Sequence, residues 1–590
     1  MNQIISGLLK QFGDEFSFNK LKEDTKFEYF INYILSYSFS YERIDRSELE
    51  LINVGGGSSE TMDGEDGSID GVMIFVNDVL VTNDDILEDV LKQNGYLSVN
   101  FVFTQAKRSE SFNKGDLNNF LDGVQEFLSE TIPNEFNSRL KKLHKIKNHL
   151  YLQSSRFAKN PECHIFYATT GVWNETDPHK RIINKAKTFL EESAIFSNVK
   201  IIMVDSQRIQ EKWRECSSIN PKTIEFSKHQ IMPKTEKTVQ AFIGVIECNE
   251  FLKLLTNQDG EMIREVFYDN VRDFQGDNSV NIGIKKTLEK EDKQSYFALL
   301  NNGMTVMAKE IKQTGDSFTL YNYQIVNGCQ TSHVLFNNRD IIKSSAYIPL
   351  KLIETGDEHI SEMIIRATNS QTEVKDEAFE ALSEFHKSLE ELYKSYEDTF
   401  HLYYERRSKQ HKNDKSIKVA NIITLPIQTK NFVGMYLDEP HSTHRYYGEL
   451  INAYRSKLFV KEHSLKTYFI SSLTGYLLDK YFSENRTTAK KVKQFKYHIM
   501  MMFKVAICKE LLNSKRIKCN LLGKKGDKVA EEFLSVLKNI EITNIIFKKL
   551  IELLNTELLL LSTSQVFDLY KKKDFTKALI LKAESEKIFD

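Results

Sequence analysis

The feature that most constrains the fold is an apolar run, Tyr96–Thr104, that is closed by the triplet Gln105-Ala106-Lys107. A run of this kind predicts a buried β-strand. Because side chains on a strand alternate between its two faces, Gln105 and Lys107 are expected to point the same way. Upstream, Asp70 follows a glycine- and acid-rich loop and precedes a second predicted strand. The sequence therefore predicts that a carboxylate, a carboxamide and a lysine converge.

These side chains have the chemistry needed to hydrolyse a phosphodiester with a divalent cation. The reaction requires a hard cation, Mg2+ or Mn2+, that is held by oxygen ligands and lowers the pKa of a bound water. Asp70 is the expected anchor, Gln105 a second ligand, and Lys107 the catalytic cation. Glu28, in an amphipathic segment that continues to about Tyr41, is expected to complete the metal shell. The alternative is that Asp70 belongs to a solvated acidic loop and that Lys107 is an ordinary strand-end lysine.

The order of predicted elements supports the first interpretation. It runs from a helix through the acid loop to a hairpin headed by Asp70, then a short helix (Asp84–Gln93), the strand that ends in Gln-x-Lys, and a further helix (Asp116–Glu130). This order resembles the PD-(D/E)xK restriction-endonuclease fold. In the Mrr-like branch of that fold, glutamine replaces the glutamate of the last motif, as at Gln105 here. The resemblance implies an α/β domain with Mg2+-dependent endonuclease activity.

A second region carries an ordered series of blocks rich in Asn, Gly and Gln. The blocks are Phe267–Gly276, Val280-Asn281, Phe297–Ala308, Ile325–Thr331, Ala367–Gln371, Val374-Lys375 and Tyr403–Arg407. Together they resemble the AIPR family, the abortive infection phage resistance proteins of bacteria. The resemblance implies a defence in which the infected cell is sacrificed, so that activity would be held back until infection.

These blocks predict a polar binding cleft. Asn301-Asn302-Gly303 and Asn327-Gly328 combine carboxamides with a residue that tolerates positive φ, the composition of tight turns that expose backbone N–H groups. Arginines nearby could bind phosphate in a bidentate manner. The candidate nucleic-acid or ligand-binding residues are Arg272, Asn301, Asn302, Asn327, Gln330, Asn369, Gln371, Arg406 and Arg407. The alternative is that Asn-Gly marks hairpin turns and that the arginines form solvated ion pairs.

Composition favours a cytoplasmic protein whose contact with nucleic acid is local. The formal net charge is −2, although acidic residues between Glu60 and Asp89 contrast with lysine-rich stretches such as Lys141–Lys145. Near neutrality argues against strong nonspecific coating of DNA. The six cysteines show no CxxC pair and no zinc spacing, which indicates reduced thiols. No signal peptide is recognised, and no apolar run approaches the ~20 residues that span a bilayer.

Three domains are predicted. A strand, helix, strand pattern between residues 160 and 205 could extend the first sheet, and a boundary is placed near residue 220. After about residue 440, long helices with apolar residues at three- and four-residue spacing follow. These helices are expected at Ser472–Phe482, Thr488–Leu512, Asp527–Leu537 and Thr543–Leu561. The predicted order is an α/β restriction-endonuclease-like domain over residues 1–220, an α+β AIPR core over 221–445, and a mostly α-helical domain over 446–590.

These expectations combine into a bacterial antiphage protein that acts as a conditional, Mg2+-dependent endonuclease on DNA. Cleavage of RNA remains an alternative, since the site residues do not distinguish the two. A protein of another class is also open: a non-catalytic sensor or nucleic-acid-binding protein with an inert nuclease fold, because glutamine at Gln105 binds a metal more weakly than a carboxylate does. A phage-derived trigger is expected, and homo-oligomerisation is left open.

Overall fold

The computed structural model describes residues 2–40, 43–55, 65–93, 95–217, 221–233, 240–257, 260–267, 279–369, 376–406, 410–411, 414, 416–512, 520–559, 566 and 568–588. The chain forms two compact units. The first comprises residues 1–11 and 22–374, and the second comprises residues 12–21 and 375–590.

The first unit contains a five-stranded mixed sheet, in the order β2-β1-β3-β4-β5. Its strands are β1 (Gly71–Val76), β2 (Val79–Leu80), β3 (Val99–Lys107), β4 (Glu162–Thr169) and β5 (Asn198–Val204). β1 runs antiparallel to β2 and β3, whereas β3, β4 and β5 run parallel. The two-residue turn between β1 and β2 is Asn77-Asp78, both with positive φ, as in the turns that match strand twist. β4 and β5 extend the first sheet, as the sequence predicts.

Helices cover this sheet on both faces. They are α2 (Glu23–Ser36), α3 (Arg46–Ile52), α4 (Asp84–Gln93), α5 (Lys114–Leu128), α6 (Ser138–Leu152), α7 (Asp177–Glu192) and α8 (Ser206–Ser217). α1 (Gln3–Glu15) precedes them, and its residues are divided between the two units. One apolar core joins alternate residues of β1 and β3 to α4, α5, α6 and α7. On the other face α2 packs against β3. The predicted bounds of α4 are confirmed. α2 ends at Ser36, and the end of the predicted amphipathic segment, about Tyr41, lies outside the described residues.

A second sheet in the same unit has six strands in the order β6-β10-β9-β11-β8-β7. They are β6 (Lys222–Glu225), β7 (Lys228–Ile231), β8 (Gln240–Glu247), β9 (Met304–Thr314), β10 (Ser317–Asn327) and β11 (Tyr347–Glu354). β9 and β11 pair in parallel, and the other neighbours pair antiparallel. The accompanying helices are α9 (Cys248–Leu255), α10 (Ser279–Leu288), α11 (Glu291–Gln294), α12 (Phe297–Leu300), α13 (Cys329–Asn337) and α14 (Glu358–Asn369).

The second unit is mostly helical. Its helices are α15 (Asp376–Phe400), α16 (Leu425–Tyr436), α17 (Tyr447–Ala453), α18 (Leu465–Glu484), α19 (Arg486–Val492), α20 (Lys496–Ala506), α21 (Gly523–Leu537), α22 (Ile540–Leu559) and α23 (Lys573–Ser585), with a π-helical turn at Ile507–Leu512. Two short strands, β12 (Tyr403–Glu405) and β13 (Ile422–Thr424), pair in parallel. One large apolar core joins these helices.

The predicted mixture of an α/β part and a helical C-terminal part is confirmed. The single helix expected at Thr488–Leu512 was wrong, because a 3-10 turn at Lys493–Phe495 separates α19 from α20. Val492 and Phe495 are both buried at this break, so the apolar pattern continues across it. The domain boundaries near residues 220 and 445 stay predictions. In the described part of the chain, we find no helix with the length and apolar character to cross a bilayer.

Candidate active site

Asp70 lies at the mouth of β1, as the sequence predicts. The pairing of Gly71 with Thr104 brings Asp70 alongside the end of β3, where its backbone N–H donates to the Thr104 carbonyl at 2.9 Å. The Asp70 side chain is 6% exposed, and its Oδ2 accepts a hydrogen bond of 2.7 Å from the Ala106 N–H. The carboxylate is therefore hydrogen-bonded to the backbone of β3 at the residue between Gln105 and Lys107.

Glu28 approaches Asp70 from α2. The Glu28 side chain is partly buried, and its Oε2 accepts a hydrogen bond of 3.2 Å from Asn53 Nδ2. A Cβ atom placed on Gly55 would lie 2.9 Å from Asp70 Oδ1 and 3.0 Å from Glu28 Oε2. The two carboxylates thus border one small space that glycine leaves open.

The electrostatics of this pair are unfavourable without a cation. Burial, followed by the charge of Asp70, raises the pKa of Glu28 to about 8, although the hydrogen bond from Asn53 acts in the opposite direction. Burial also raises the pKa of Asp70 to about 6, against the lowering effects of Lys107 and the Ala106 amide. Two desolvated like charges are costly side by side, so the pair retains a proton near neutral pH.

Gln105 and Lys107 complete the predicted set. Gln105 is 1% exposed, and its Oε1 has no hydrogen-bond partner among the described residues. Lys107, two residues further along β3, is partly exposed, and its charge lowers the pKa of both Glu28 and Asp70. Glu28, Asp70 and Lys107 are therefore within electrostatic reach of one another, as the sequence predicts, and Gln105 adds a buried oxygen on the strand that carries Lys107.

These residues fit a hard divalent cation. Gly55 leaves a space between two carboxylates, and the unpartnered Gln105 carbonyl is a third oxygen of the kind that Mg2+ accepts. Across the described residues, no group of three His, Cys, Asp or Glu side chains converges in a metal-binding geometry. Mg2+ usually binds through one or two carboxylates and keeps several waters, so the two carboxylates alone are enough protein ligands.

Several residues of this site were not singled out from the sequence. Asn32, Asn53 and Thr104 form a buried polar chain behind the carboxylates. Tyr167 pairs in register with Gln105, and its buried hydroxyl has no hydrogen-bond partner in the described part of the chain. Burial and the charges of two aspartates, one of them Asp70, raise the Tyr167 pKa. The spacing of Glu28 and Asn32, four residues apart on one face of α2, was the one available indication.

The predicted Asn-Gly turns of the second sheet lie side by side. Gly303 precedes β9 with a φ of 86°, and Gly328 follows β10 with a φ of 98°, so both adopt the conformation expected of glycine. A Cβ on Gly328 would lie 2.3 Å from Met304 Sδ, and one on Gly303 would lie 2.8 Å from Pro349 Cβ. These glycines are required by close packing as well as by φ.

The amides around these turns largely bond within the protein. Asn301 Nδ2 donates to the Phe297 carbonyl at 2.8 Å, and Asn281 Nδ2 donates to Gln330 Oε1 at 2.7 Å. Asn327 is half-buried at the end of β10. Asn302 is exposed.

The structure describes one of the three candidate arginines, Arg406. In the helical unit, Arg406 Nε donates to Glu390 Oε2 at 3.0 Å, and Gln410 donates to the other oxygen of Glu390 at 2.7 Å. Arg406 is thus half of an ion pair in which both side chains are largely buried. Arg272, Gln371 and Arg407, together with the side chain of Asn369, lie outside the described residues.

The fold and these contacts define a mixed α/β protein with a carboxylate, carboxamide and lysine cluster at the edge of its first sheet. Comparison with known families gives a match to a further part of the chain. The sequence model of the family described as AIPR protein matches residues 267–564, just over half of the chain. The protein belongs to the AIPR family, which is consistent with antiphage defence by abortive infection. No curated protein and no solved structure matches the chain.

Proposed function

We propose that the protein is a conditional, metal-dependent nuclease of antiphage defence, with its active site beside the first sheet. The observation that carries the proposal is the facing pair of Glu28 and Asp70, which border the space left by Gly55 within electrostatic reach of Lys107. Folding alone gives no reason to bring two desolvated carboxylates together. A bound divalent cation would offset the charge repulsion between the two carboxylates.

Each side chain has a role that follows from its position. Glu28, Asp70 and Gln105 would hold Mg2+ or Mn2+, which polarises a phosphoryl group and lowers the pKa of a bound water. Asp70 is oriented for this by the Ala106 amide. Lys107, beyond Gln105 on β3, would neutralise charge that develops on the phosphate or orient the attacking water.

The proposed substrate is DNA, with RNA as the alternative that the same residues would serve. Membership of the AIPR family supports a defence role in which cleavage is held back until infection. Gln105, a weaker ligand than a carboxylate, favours one competing function, a non-catalytic sensor that retains the nuclease fold.

The first experiment is carried out in infected cells, because activity is proposed to be conditional. Bacteria that express wild-type protein, Asp70→Asn, Lys107→Ala or Lys187→Ala are challenged with phage, and phage yield and nucleic-acid integrity are measured. Lys187 is an exposed lysine on α7 and serves as the control. Protection should be lost in the Asp70 and Lys107 variants and kept in the control, with cleavage reduced at least about a hundredfold by Lys107→Ala.

The purified proteins then identify the substrate. Plasmid DNA and RNA are incubated at low salt with Mg2+, Mn2+ or EDTA, using protein from infected and uninfected cells. Cleavage that requires the metal and Asp70 supports the proposal and names the nucleic acid. Full protection by Asp70→Asn, at wild-type expression levels, would show that the defence does not use this site and would favour the sensor.

A further inference from the structure

A chain of buried amide and hydroxyl groups lies directly behind the two carboxylates. Asn32 on α2, Asn53 after α3 and Thr104 on β3 are all fully buried. Asn32 Nδ2 donates to Asn53 Oδ1 at 3.1 Å, and the Thr104 hydroxyl donates to Asn32 Oδ1 at 2.5 Å. Three separate segments are therefore joined by side chains that have no contact with solvent.

This polar chain of side chains contacts both carboxylate residues of the proposed site, Glu28 and Asp70. At one end, Asn53 Nδ2 donates to Glu28 Oε2 at 3.2 Å. From the middle of the polar chain, Asn32 Nδ2 also donates to the backbone carbonyl of Asp70 at 3.4 Å. The side-chain nitrogens of Asn53 and Asn32 thus both donate to acceptors in the site or in the polar chain.

The surrounding backbone is adapted to this arrangement. Asn53 forms a bridge to Gly71, the first residue of β1, so the loop that carries Gly55 is fixed to the strand that follows Asp70. A Cβ on Gly71 would lie 2.2 Å from Asn32 Oδ1 and 2.4 Å from Thr104 Oγ1. Any larger residue at this position would displace the amide.

A structural role alone leaves one contact unexplained. Burying an asparagine requires that its polar atoms be hydrogen-bonded, but the protein could meet that requirement with a backbone carbonyl. Here the side-chain N–H of Asn53 donates instead to the Glu28 carboxylate, which faces the Asp70 carboxylate. A donor at this place fixes the orientation of the Glu28 carboxylate at the space beside Gly55.

We infer that Asn53, supported by Asn32 and Thr104, is a positioning residue that holds Glu28 toward a divalent cation at the site shared with Asp70. This inference rests on the proposed function. It adds residues that contact neither the metal nor the substrate and that act through Glu28. Partners of this kind commonly change metal affinity tenfold or more.

The test measures Mn2+ binding to the full-length protein by electron paramagnetic resonance, with melting temperature as a separate readout. Asn53→Ala should raise the Mn2+ dissociation constant about tenfold. Glu28→Ala should raise it as well, and the double variant should bind no more weakly than Glu28→Ala alone, since Asn53 acts through Glu28. A purely structural role would instead give additive losses.

The matched control is Asn137→Ala. Asn137 is equally buried, donates to the Val54 carbonyl at 3.1 Å and caps α6 by accepting from the Leu140 N–H, and neither hydrogen bond involves Glu28 or Asp70. Both asparagine variants should lower the melting temperature, and only Asn53→Ala should weaken Mn2+ binding. If Asn53→Ala does not fold, Thr104→Val tests the same chain from its other end with a side chain of the same shape.

The outcomes separate the two levels of the proposal. Unchanged Mn2+ affinity in Asn53→Ala, or additive losses in the double variant, overturns the positioning role and leaves the nuclease proposal standing. Absence of Mn2+ binding by the wild-type protein overturns both. Weaker binding in Asn137→Ala to the same extent would show that general destabilisation, and not positioning, controls the affinity.

Discussion

The site beside the first sheet and the Asn-Gly turns of the second sheet use similar residue types but differ in how their polar groups are satisfied. In the second sheet, Asn301 bonds to a nearby carbonyl and Asn281 bonds to Gln330. In the first, the carboxylates of Glu28 and Asp70 face each other across the space left by Gly55, and burial desolvates both.

This difference shows in which region the requirements of folding are enough to explain the polar side chains. A carboxamide that closes its hydrogen bonds locally stabilises a turn, and the turn accounts for its presence. Two desolvated carboxylates lower stability until something neutralises them, so their retention points to a ligand. Substitutions in the two regions should therefore separate effects on stability from effects on metal binding.

The glycines of the two regions should respond in opposite ways to the same substitution. Gly328→Ala places a Cβ 2.3 Å from Met304 Sδ on a backbone with a φ of 98°, which should cost about 3 kcal/mol of unfolding free energy. Gly55→Ala instead places a methyl group between the oxygens of Glu28 and Asp70, and should abolish Mn2+ binding at a smaller cost in stability than Gly328→Ala. Chemical denaturation and Mn2+ titration of both variants check this.

The wild-type protein supplies the reference for both measurements, and Gly7→Ala supplies the control, since a Cβ on Gly7 would meet nothing within 4 Å. Undiminished Mn2+ binding by Gly55→Ala would show that the metal does not lie between these carboxylates.

The helical unit should lose stability as the pH falls, because it buries a neutral histidine. His386 hydrogen-bonds to the Tyr404 hydroxyl at 2.7 Å, and burial, helped by Arg406, lowers its pKa to about 4. The unfolded chain binds the proton near pH 6.5 and the folded chain does not, so stability is complete above that value and falls toward pH 4. Between about pH 7 and pH 5 the loss from this residue should approach about 2 kcal/mol.

Urea denaturation of wild type and His386→Gln at the two pH values measures this contribution. The variant should show a smaller loss on acidification. An equal loss in both proteins would mean that His386 becomes protonated in the folded state or that its burial is relieved.

Much of this organisation could be predicted from the sequence, for identifiable reasons. The alternation of side chains along a strand predicted that Gln105 and Lys107 lie on one face of β3. The apolar runs located β3, β4 and β5. The roles of Asn53 and Gly55 could not be predicted, since they depend on contacts between α2, the loop after α3 and β1. The break between α19 and α20 was equally hidden, because Val492 and Phe495 continue the buried pattern across it.

The charge of Asp70 should destabilise the metal-free protein. Asp70→Asn keeps an oxygen for the Ala106 N–H and removes the repulsion with Glu28, so it should raise the unfolding free energy by about 1 kcal/mol. The gain should grow between about pH 6 and pH 9, as Glu28 loses its proton in the wild type. Thermal denaturation in EDTA measures it.

Asp78→Asn is the matched control for that experiment. Asp78 Oδ1 accepts a hydrogen bond of 2.7 Å from Arg264 Nε, so here an aspartate faces an opposite charge. Its replacement should lower stability by a similar amount. A lower melting temperature in both variants would contradict the view that Asp70 is held at a cost.

The smallest effect on stability is expected for Asn302→Ala, and this variant tests whether the amides of the second sheet serve folding alone. Asn302 is exposed beside the left-handed Gly303, so its loss should change the unfolding free energy by less than about 0.5 kcal/mol. If the second sheet uses its amides only for folding, protection against phage should also be unchanged. Lost protection at wild-type stability would instead place a ligand at the exposed side of these turns, where folding does not account for the amide. That result would support the predicted polar cleft. It would also identify Asn302 as the starting point in a search for the ligand of the cleft.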